Sequence, residues 1–462
     1  MIHDWGVLNK LCFNTNKTKA IVFNKPRHRN LYTHVPTLRM DGKHIAVVRE
    51  LKYLGIILDH TLSWNSHIEY ITKHTGYIMH AFAKVARSTW GLGGNAKGAI
   101  YDSIFVPIIT YGCGTWSVAA EKVHQKRKLI SAQRRALLLI TKAYRTTANV
   151  SLQLLARKPP IDKYINYLQK LCKIKRGDSP ASHSEHFIEE SWEENIPFQH
   201  TLSPYTNNRY IETSPASCAI TIFTDGSKYE NNVGASFVVY CKKIEIYCKS
   251  FQLGPLCSIF QAELYAILQA VVWCEWIINN TQIIIITDSL SSLNAIKKLS
   301  DHPLAFYIQR ILVDSDNDYY FKWIRSHSEV WGNDRADHLA KTASVDQNIV
   351  VSYNKISTKI LKEILCEDML MDWQRDWDDN ISITKQFFPN ILKFLHNTWI
   401  LVTHHTVQFY TGHGRFNSYL SCFTSHNNKL CPVCGINDSS YHYIFECPMT
   451  ETERHQLMHF PE

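Results

Sequence analysis

Residues 222–228 read IFTDGSK, an apolar run closed by an acid and then by a Gly–Ser turn. An acid at the end of a buried strand is costly to desolvate, so Asp225 either caps the next element or holds a cation. Its partners decide between the two. Downstream, GASFVVY (234–240) and KIEIYCKSF (243–251) read as two more strands and IFQAELYAILQAVVWCEWI (259–277) as a helix. QIIIITDS (282–289) is a strand that again ends on an acid. A polar helix (290–298), the strand YYFKWIR (319–325) and the helix GNDRADHLAKTA (332–343) complete the series. Three strands followed by α-β-α-β-α predict a mixed sheet with helices on its faces.

In such a sheet the first and fourth strands are neighbours, and Asp225 and Asp288 end side by side. Glu263 lies early in the first helix and Asp337 in the last. Four carboxylates at one edge repel one another unless hard cations neutralise them, and oxygen-only ligation with open positions suits Mg²⁺. Two such ions are a device for phosphodiester cleavage, one activating the attacking water and the other steadying the leaving oxygen. Asp225 therefore reads as a metal ligand. A proofreading-type 3′–5′ exonuclease is the rival two-metal reading, but it opens with Asp-x-Glu on its first strand, where this chain has Asp225-Gly226-Ser227.

The charge is uneven. Residues 1–178 hold 29 Lys and Arg against 9 Asp and Glu, a net of +20, and residues 179–462 hold 21 against 32, a net of −11; together they make the formal +9. Clusters such as QKRKLISAQRR (125–135) have few acids to balance them, which marks the front third as a polyanion-binding candidate. Residues 178–217 are acidic, rich in Ser and Pro and weakly periodic, and read as a linker. With 462 residues and 45% hydrophobic content, about three packed domains are expected. No stretch has the apolar length of a membrane span and the start lacks a signal segment, so no membrane partner and an intracellular location, cytoplasm or nucleus, are expected.

Thirteen cysteines without a secretory signal fit reduced thiols, and any cluster of them is a metal candidate. CPVCGINDSSYHYIFECP (431–448) supplies one: Cys431, Cys434, His442 and Cys447, spaced C-x2-C-x7-H-x4-C. Four soft ligands suit tetrahedral Zn²⁺ in a structural role. His404, His405 and His413, just upstream, read as packing or capping histidines.

Together FTDGSKYENNVGASFVVY, FQAELYAILQA, IITDSLSSLNAI and WIRSHSEVWGNDRADHLAK resemble the type 1 ribonuclease H domain over about residues 219–344. The resemblance implies the ribonuclease H fold and hydrolysis of the RNA strand of RNA–DNA hybrids with Mg²⁺ or Mn²⁺. It places the four metal ligands on Asp225, Glu263, Asp288 and Asp337. The loop histidine that assists proton transfer or product release falls on His327, and Gly226, Ser227, Ser289 and Asn333 fall where the family touches the hybrid. Relatives usually read Gly-Asn-Glu before the last acid; here the run is Gly332-Asn333-Asp334, one methylene shorter. LCFNTNKTKAIVFNK, LKYLGIILDHTLSWNSHI and AYRTTANVSLQLLARKPPI are similar to the palm end and thumb side of non-LTR retrotransposon reverse transcriptases of the jockey and R1 kind. The aromatic-x-Asp-Asp strand of the polymerase is not found before them, so the chain reads as a truncated 3′ part of such an element.

The expected organisation is a basic, mainly helical thumb-like region (1–177), the linker (178–217), a ribonuclease H domain (218–345), a helical tail (346–425) and a CCHC zinc module (426–462). The expected function is metal-dependent cleavage of RNA in RNA–DNA hybrids, with element RNA or DNA as a further partner of the basic region. The alternative is a nucleic-acid-binding remnant whose catalysis has decayed.

Overall fold

The computed structural model describes residues 5–6, 8–23, 37–40, 42–85, 92–176, 192–197, 200–202, 220–298, 300–326, 330–346, 348–423 and 428–458. The chain divides into two compact units, one made of Lys173–Leu365 and the other of Met1–Cys172 with Cys366–Glu462.

The Lys173–Leu365 unit contains, in chain order, β1 (Ile220–Tyr229), β2 (Asn232–Cys241), β3 (Ile244–Leu253), α1 (Ile259–Ile277), β4 (Gln282–Thr287), α2 (Leu290–Lys297), α3 (Pro303–Asp314), β5 (Asp318–Trp323), α4 (Trp331–Val345) and β6 (Val351–Tyr353). They form one six-stranded sheet in the order β5-β4-β1-β2-β3-β6. The β1-β2 and β2-β3 pairs are antiparallel, and the β4-β1, β4-β5 and β6-β3 pairs parallel.

The four isoleucines of β4 explain why this sheet is covered on both faces. Side chains alternate along a strand, so a continuous apolar run needs a core on each side. Ile283 and Ile285 join the core built by α1, α2 and α3, with Leu264, Ile267, Leu293 and Ile308. Ile284 and Ile286 point the other way, to Phe223, Val238 and Ala336 of α4. Each such side chain contributes roughly 1.5–3 kcal/mol on burial. Helix α4 lies directly on β2, because a Cβ on Gly234 would sit 2.1 Å from the Ala340 carbonyl oxygen.

Two elements were not anticipated. Helix α3 starts with Pro303 in its first turn after His302, a start signal hidden in the mixed stretch DHPLAFYIQRILVD. Strand β6 has three residues and exists only through its pairing with β3, which no local pattern announces.

Most of the expected linker lies outside the described residues, but residues 192–197 are built into this unit. Trp192 bridges Ile356, and Glu193 is buried, accepting from Gln261 Nε2 at 3.0 Å and from the Tyr353 hydroxyl, with His302 Nε2 at 3.2 Å. Burial opposes its charge, yet the bonds from His302, Tyr353 and Gln261 hold its carboxyl below the usual range.

In the other unit, residues expected as a basic front and residues expected as a helical tail share a core. The helices Asn65–Val85, Val123–Thr141 and Asn149–Leu155 enclose Ile68, Phe105, Trp116, Leu129, Leu137 and Leu152. Leu154 and Leu155 then join Trp373, Trp377, Ile391, Phe394 and Val407 in a second cluster. Arg157 donates to the carbonyls of Phe394 (2.6 Å), Leu395 (2.9 Å) and Asn397 (2.6 Å). His404 Nδ1 meets the Lys142 carbonyl at 2.9 Å and His413 Nδ1 the Thr147 hydroxyl at 3.0 Å, so both are packing groups. Among the described residues no single helix is long and apolar enough to cross a membrane.

Candidate functional site

The parallel register of β4 against β1 stops at the pair Thr287–Thr224, so Asp288 leaves the end of β4 beside Asp225. Asp225 does not end its strand as the sequence suggested: β1 runs on to Tyr229 because its ladder with β2 continues, and Asp225 pairs with Ser236 there. Helix α1 brings the third acid. Its N-terminus is fixed by a capping box in which Ser258 Oγ accepts from Gln261 N–H at 3.2 Å and Gln261 Oε1 accepts from Ser258 N–H at 2.8 Å. The close approach of α1 to β1 requires Gly226, since a Cβ there would lie 2.6 Å from the Glu263 nitrogen. Gly226 N–H in turn donates to the Glu263 carboxylate.

Asp225, Glu263 and Asp288 each present an oxygen within 4.8 Å of the others. Asp225 is 5% and Glu263 7% exposed, and Asp225 Oδ2 and Glu263 Oε2 are buried without a hydrogen-bond partner. Burial, then the charges of Asp288 and Asp337, push the Asp225 carboxyl up to about 8. Burial and the charges of Asp225 and Asp288 raise Glu263 well above its ordinary value. A carboxylate cluster so short of donors is relieved by protonation or by a cation. Oxygen donors alone suit Mg²⁺ or Mn²⁺, so the residues fit the divalent ions that the sequence resemblance implies.

Asp337 stands apart from that trio. Its Oδ2 is 2.6 Å from Lys341 Nζ, one turn along α4, and the Lys341 charge is also felt at Asp225. Lys341 was missed in the sequence reading, although the i, i+4 spacing from Asp337 in ADHLAK was visible. Trp323, at the end of β5, was missed as well; its Nε1 donates to the Asp288 carbonyl at 2.9 Å. Asn333 is buried with Oδ1 unpartnered, and Ser227 and Ser289 are part-exposed. Ser289 Oγ lies 2.8 Å from Ser292 Oγ. Asp334 is exposed, and His327 lies outside the described residues.

A family model of RNase H matches residues 217–345. Those residues form an RNase H domain. Its chain is similar to the 115 kDa protein of the type-1 retrotransposable element R1DM of Drosophila melanogaster, 32% identical over 177 residues, covering 38% of this chain and 17% of that protein. It is also 30% identical over 144 residues to a Pol polyprotein of an R1 element of Nasonia vitripennis, covering 31% of this chain and 36% of that protein. A further relative is the RNA-directed DNA polymerase of the mobile element jockey of Drosophila melanogaster, 32% identical over 105 residues, 21% of this chain and 11% of that protein. A solved ribonuclease H1 from Halobacterium salinarum aligns at 17% identity and a TM-score of 0.24, over 27% of this chain and 96% of that one. The chain thus carries an RNase H domain within a relative of R1 and jockey retrotransposon polyproteins, and spans about a sixth to a third of the first two relatives.

Beyond the RNase H domain, the second cluster expected from spacing also assembles. Ligand atoms of Cys431, Cys434, His442 and Cys447 all lie within 4.8 Å of one another. The first two thiols sit on a tight knuckle: Cys431 N–H donates to Ile436 O at 2.7 Å, Gly435 N–H to Cys431 O at 2.9 Å, and Gly435 takes φ +72°. Backbone N–H groups of Cys434 and Val433, then His442, draw the Cys431 thiol down to about 6. His442 turns Nε2 to Cys434 Sγ at 3.1 Å and Nδ1 to Glu446 Oε2 at 3.4 Å, an arrangement that fixes the ring. Three thiols and one imidazole suit zinc.

Proposed function

We propose that this chain hydrolyses the RNA strand of RNA–DNA hybrids in a two-metal site. The observation that carries the reading is the convergence of Asp225, Glu263 and Asp288 with buried carboxylate oxygens that have no donor. These three, with Asp337 on α4, would hold Mg²⁺ or Mn²⁺, which supplies activation of water and neutralisation of charge at the leaving oxygen. Gly226, Ser227 and Ser289 lie beside the ligands in sequence, which suits them to contact with the hybrid. Asn333, on the helix that carries Asp337, is buried and is assigned to the hybrid by its place in the motif alone. His327 follows the β5 strand, in the segment before α4, and is assigned the proton-transfer or product-release role by its place in the motif. Selection for the hybrid requires a 2′-hydroxyl on one strand and deoxyribose geometry on the other. Cys431, Cys434, His442 and Cys447 hold structural Zn²⁺.

The test is cleavage of end-labelled substrates by the full chain with and without Mg²⁺. The expected result is metal-dependent cutting of the RNA strand of the hybrid, with single-stranded RNA and duplex DNA left largely intact and His327→Ala slowed but active. Equal cutting of all three would overturn the substrate assignment. Metal binding without any cleavage would leave a decayed remnant instead.

A further inference from the structure

A cavity of about 700 Å³ in the unit formed by Met1–Cys172 and Cys366–Glu462 is lined by His80, Arg135, Lys142, Arg145 and His404, and by no acid. Its wall is apolar, from Met79, Leu138 and Leu139. The geometry follows from two helices and one residue of the tail. Arg135, Leu138 and Leu139 lie at i, i+3 and i+4 on the helix Val123–Thr141, and Lys142 closes it in a left-handed conformation. Met79 and His80 come from the helix Asn65–Val85. His404 is tied in through its bond to the Lys142 carbonyl.

The carbonyls at a helix C-terminus favour nearby cations, which accounts for Lys142 and Arg145. It does not account for Arg135, whose position is about 10 Å from that end at 1.5 Å per residue. Among the described residues neither the Arg135 nor the Arg145 guanidinium has an ion-pair partner, and the Arg135 guanidinium lies over Gly76, where a Cβ would be 2.7 Å from Nη1. Lys97 adds to the field: it is 1% exposed, and burial together with the Lys142 charge holds its ammonium below the usual value. The Arg135 and Arg145 guanidiniums line one cavity that no acid lines, so they repel one another, and an anion relieves that repulsion as a metal relieves clustered carboxylates.

We propose that this pocket seats the phosphodiester backbone of a nucleic-acid strand, with Arg135 and Arg145 on phosphate oxygens and the apolar wall against a sugar or base. A planar guanidinium fork matches a phosphate, and the volume suits one nucleotide. The unit's basic charge steers such a strand toward it. Because His404 is a lining residue, residues from both ends of the chain complete the pocket. The proposal does not rest on the nuclease reading.

It is tested on the full chain carrying Asp225→Asn, in Mg²⁺-free buffer without chelator so that the hybrid is not cut and zinc is kept, by titrating a fluorescent single-stranded RNA and an RNA–DNA hybrid at several salt concentrations. R135Q/R145Q is expected to lose about tenfold in affinity at 0.1 M salt, and its log–log salt slope to fall by about two. K17Q/K19Q removes the same charge from the same basic region and is expected to change affinity less than about threefold. R135K/R145K keeps the charge but not the guanidinium fork, so it is expected to keep the parent's salt slope and to fall between the parent and R135Q/R145Q in affinity, which separates a pocket effect from misfolding. Equal losses in the two glutamine doubles, no loss in R135Q/R145Q, or a lysine double with the affinity and slope of the glutamine double would each overturn the proposal.

Discussion

Asp337 Oδ2 lies 2.6 Å from Lys341 Nζ on the same helix, whereas Asp225, Glu263 and Asp288 meet without it. The fourth acid is thus bound to a lysine whose charge reaches Asp225. Any cation arriving at Asp337 competes with an ammonium already in place.

Removing that competitor should make metal binding easier. Lys341→Gln is expected to lower the Mg²⁺ concentration for half-maximal hybrid cleavage by about two- to fivefold at low ionic strength, in line with the modest worth of an exposed pair. The gap should close near 0.5 M salt as screening weakens the pair. A metal titration at two salt concentrations checks both; an identical midpoint at low salt counts against the competition.

Asp225→Asn and Asp288→Asn should each abolish cleavage while the fold persists, because each removes a charged ligand but keeps side-chain size. Asp337→Asn should also damage activity. The metal-free protein supplies a second readout. Asp225 is raised to about 8 when folded and ionises near 4 when unfolded, so between those values the folded state binds more protons. Stability then falls as pH rises from about 4 to about 8 and levels off above. Thermal melts in Mg²⁺-free buffer without chelator, followed through the transition of the RNase H unit across that window, should show the fall in the parent and a flatter profile in Asp225→Asn; parallel profiles would contradict it.

Zinc ligation should be local. Cys434→Ala is expected to lose one zinc per chain by metal analysis, and limited proteolysis should then cut first beyond about residue 425, since a small segment closes poorly without its ion. A parent protein purified without chelator and free of zinc would remove the assignment.

Arg157 stitches the two ends of the chain through three carbonyls. Arg157→Ala leaves those acceptors short of a donor and should cost about 2–4 kcal/mol. Calorimetry should show the transition of that unit lowered and the transition of the RNase H unit unmoved. A uniform shift of both would mean that the stitch is not confined to its own unit.

How far the site could be read in advance follows from range. Asp225 and Asp288 end apolar runs in order, so their meeting was legible once the sheet was expected, and the four zinc-type ligands announce themselves within 17 residues, Cys431 to Cys447. Glu193 was hidden because a polar, Ser- and Pro-rich context reads as linker, and only distant Gln261, His302 and Tyr353 make its burial tolerable. The shared core of Leu154 with Trp373 and Phe394 was hidden because nothing local to any of the three segments names its partner. Asp337 lies on the last helix as read from the sequence, but its ion pair with Lys341 was hidden because that lysine reads as an ordinary helix-surface charge.

The division of the chain into Lys173–Leu365 and its two flanks sets an order of events during synthesis. Domains generally fold as units while the chain emerges, N-terminal portions first. The RNase H unit has all of its residues available once Leu365 has left the ribosome. The flanking unit, whose first helices are made earliest, must wait for Trp373, Ile391, Phe394 and Val407 before its second cluster can close. Its apolar helix faces stay uncovered through that interval, so a nascent-chain holdase would have its longest-lived client surface there.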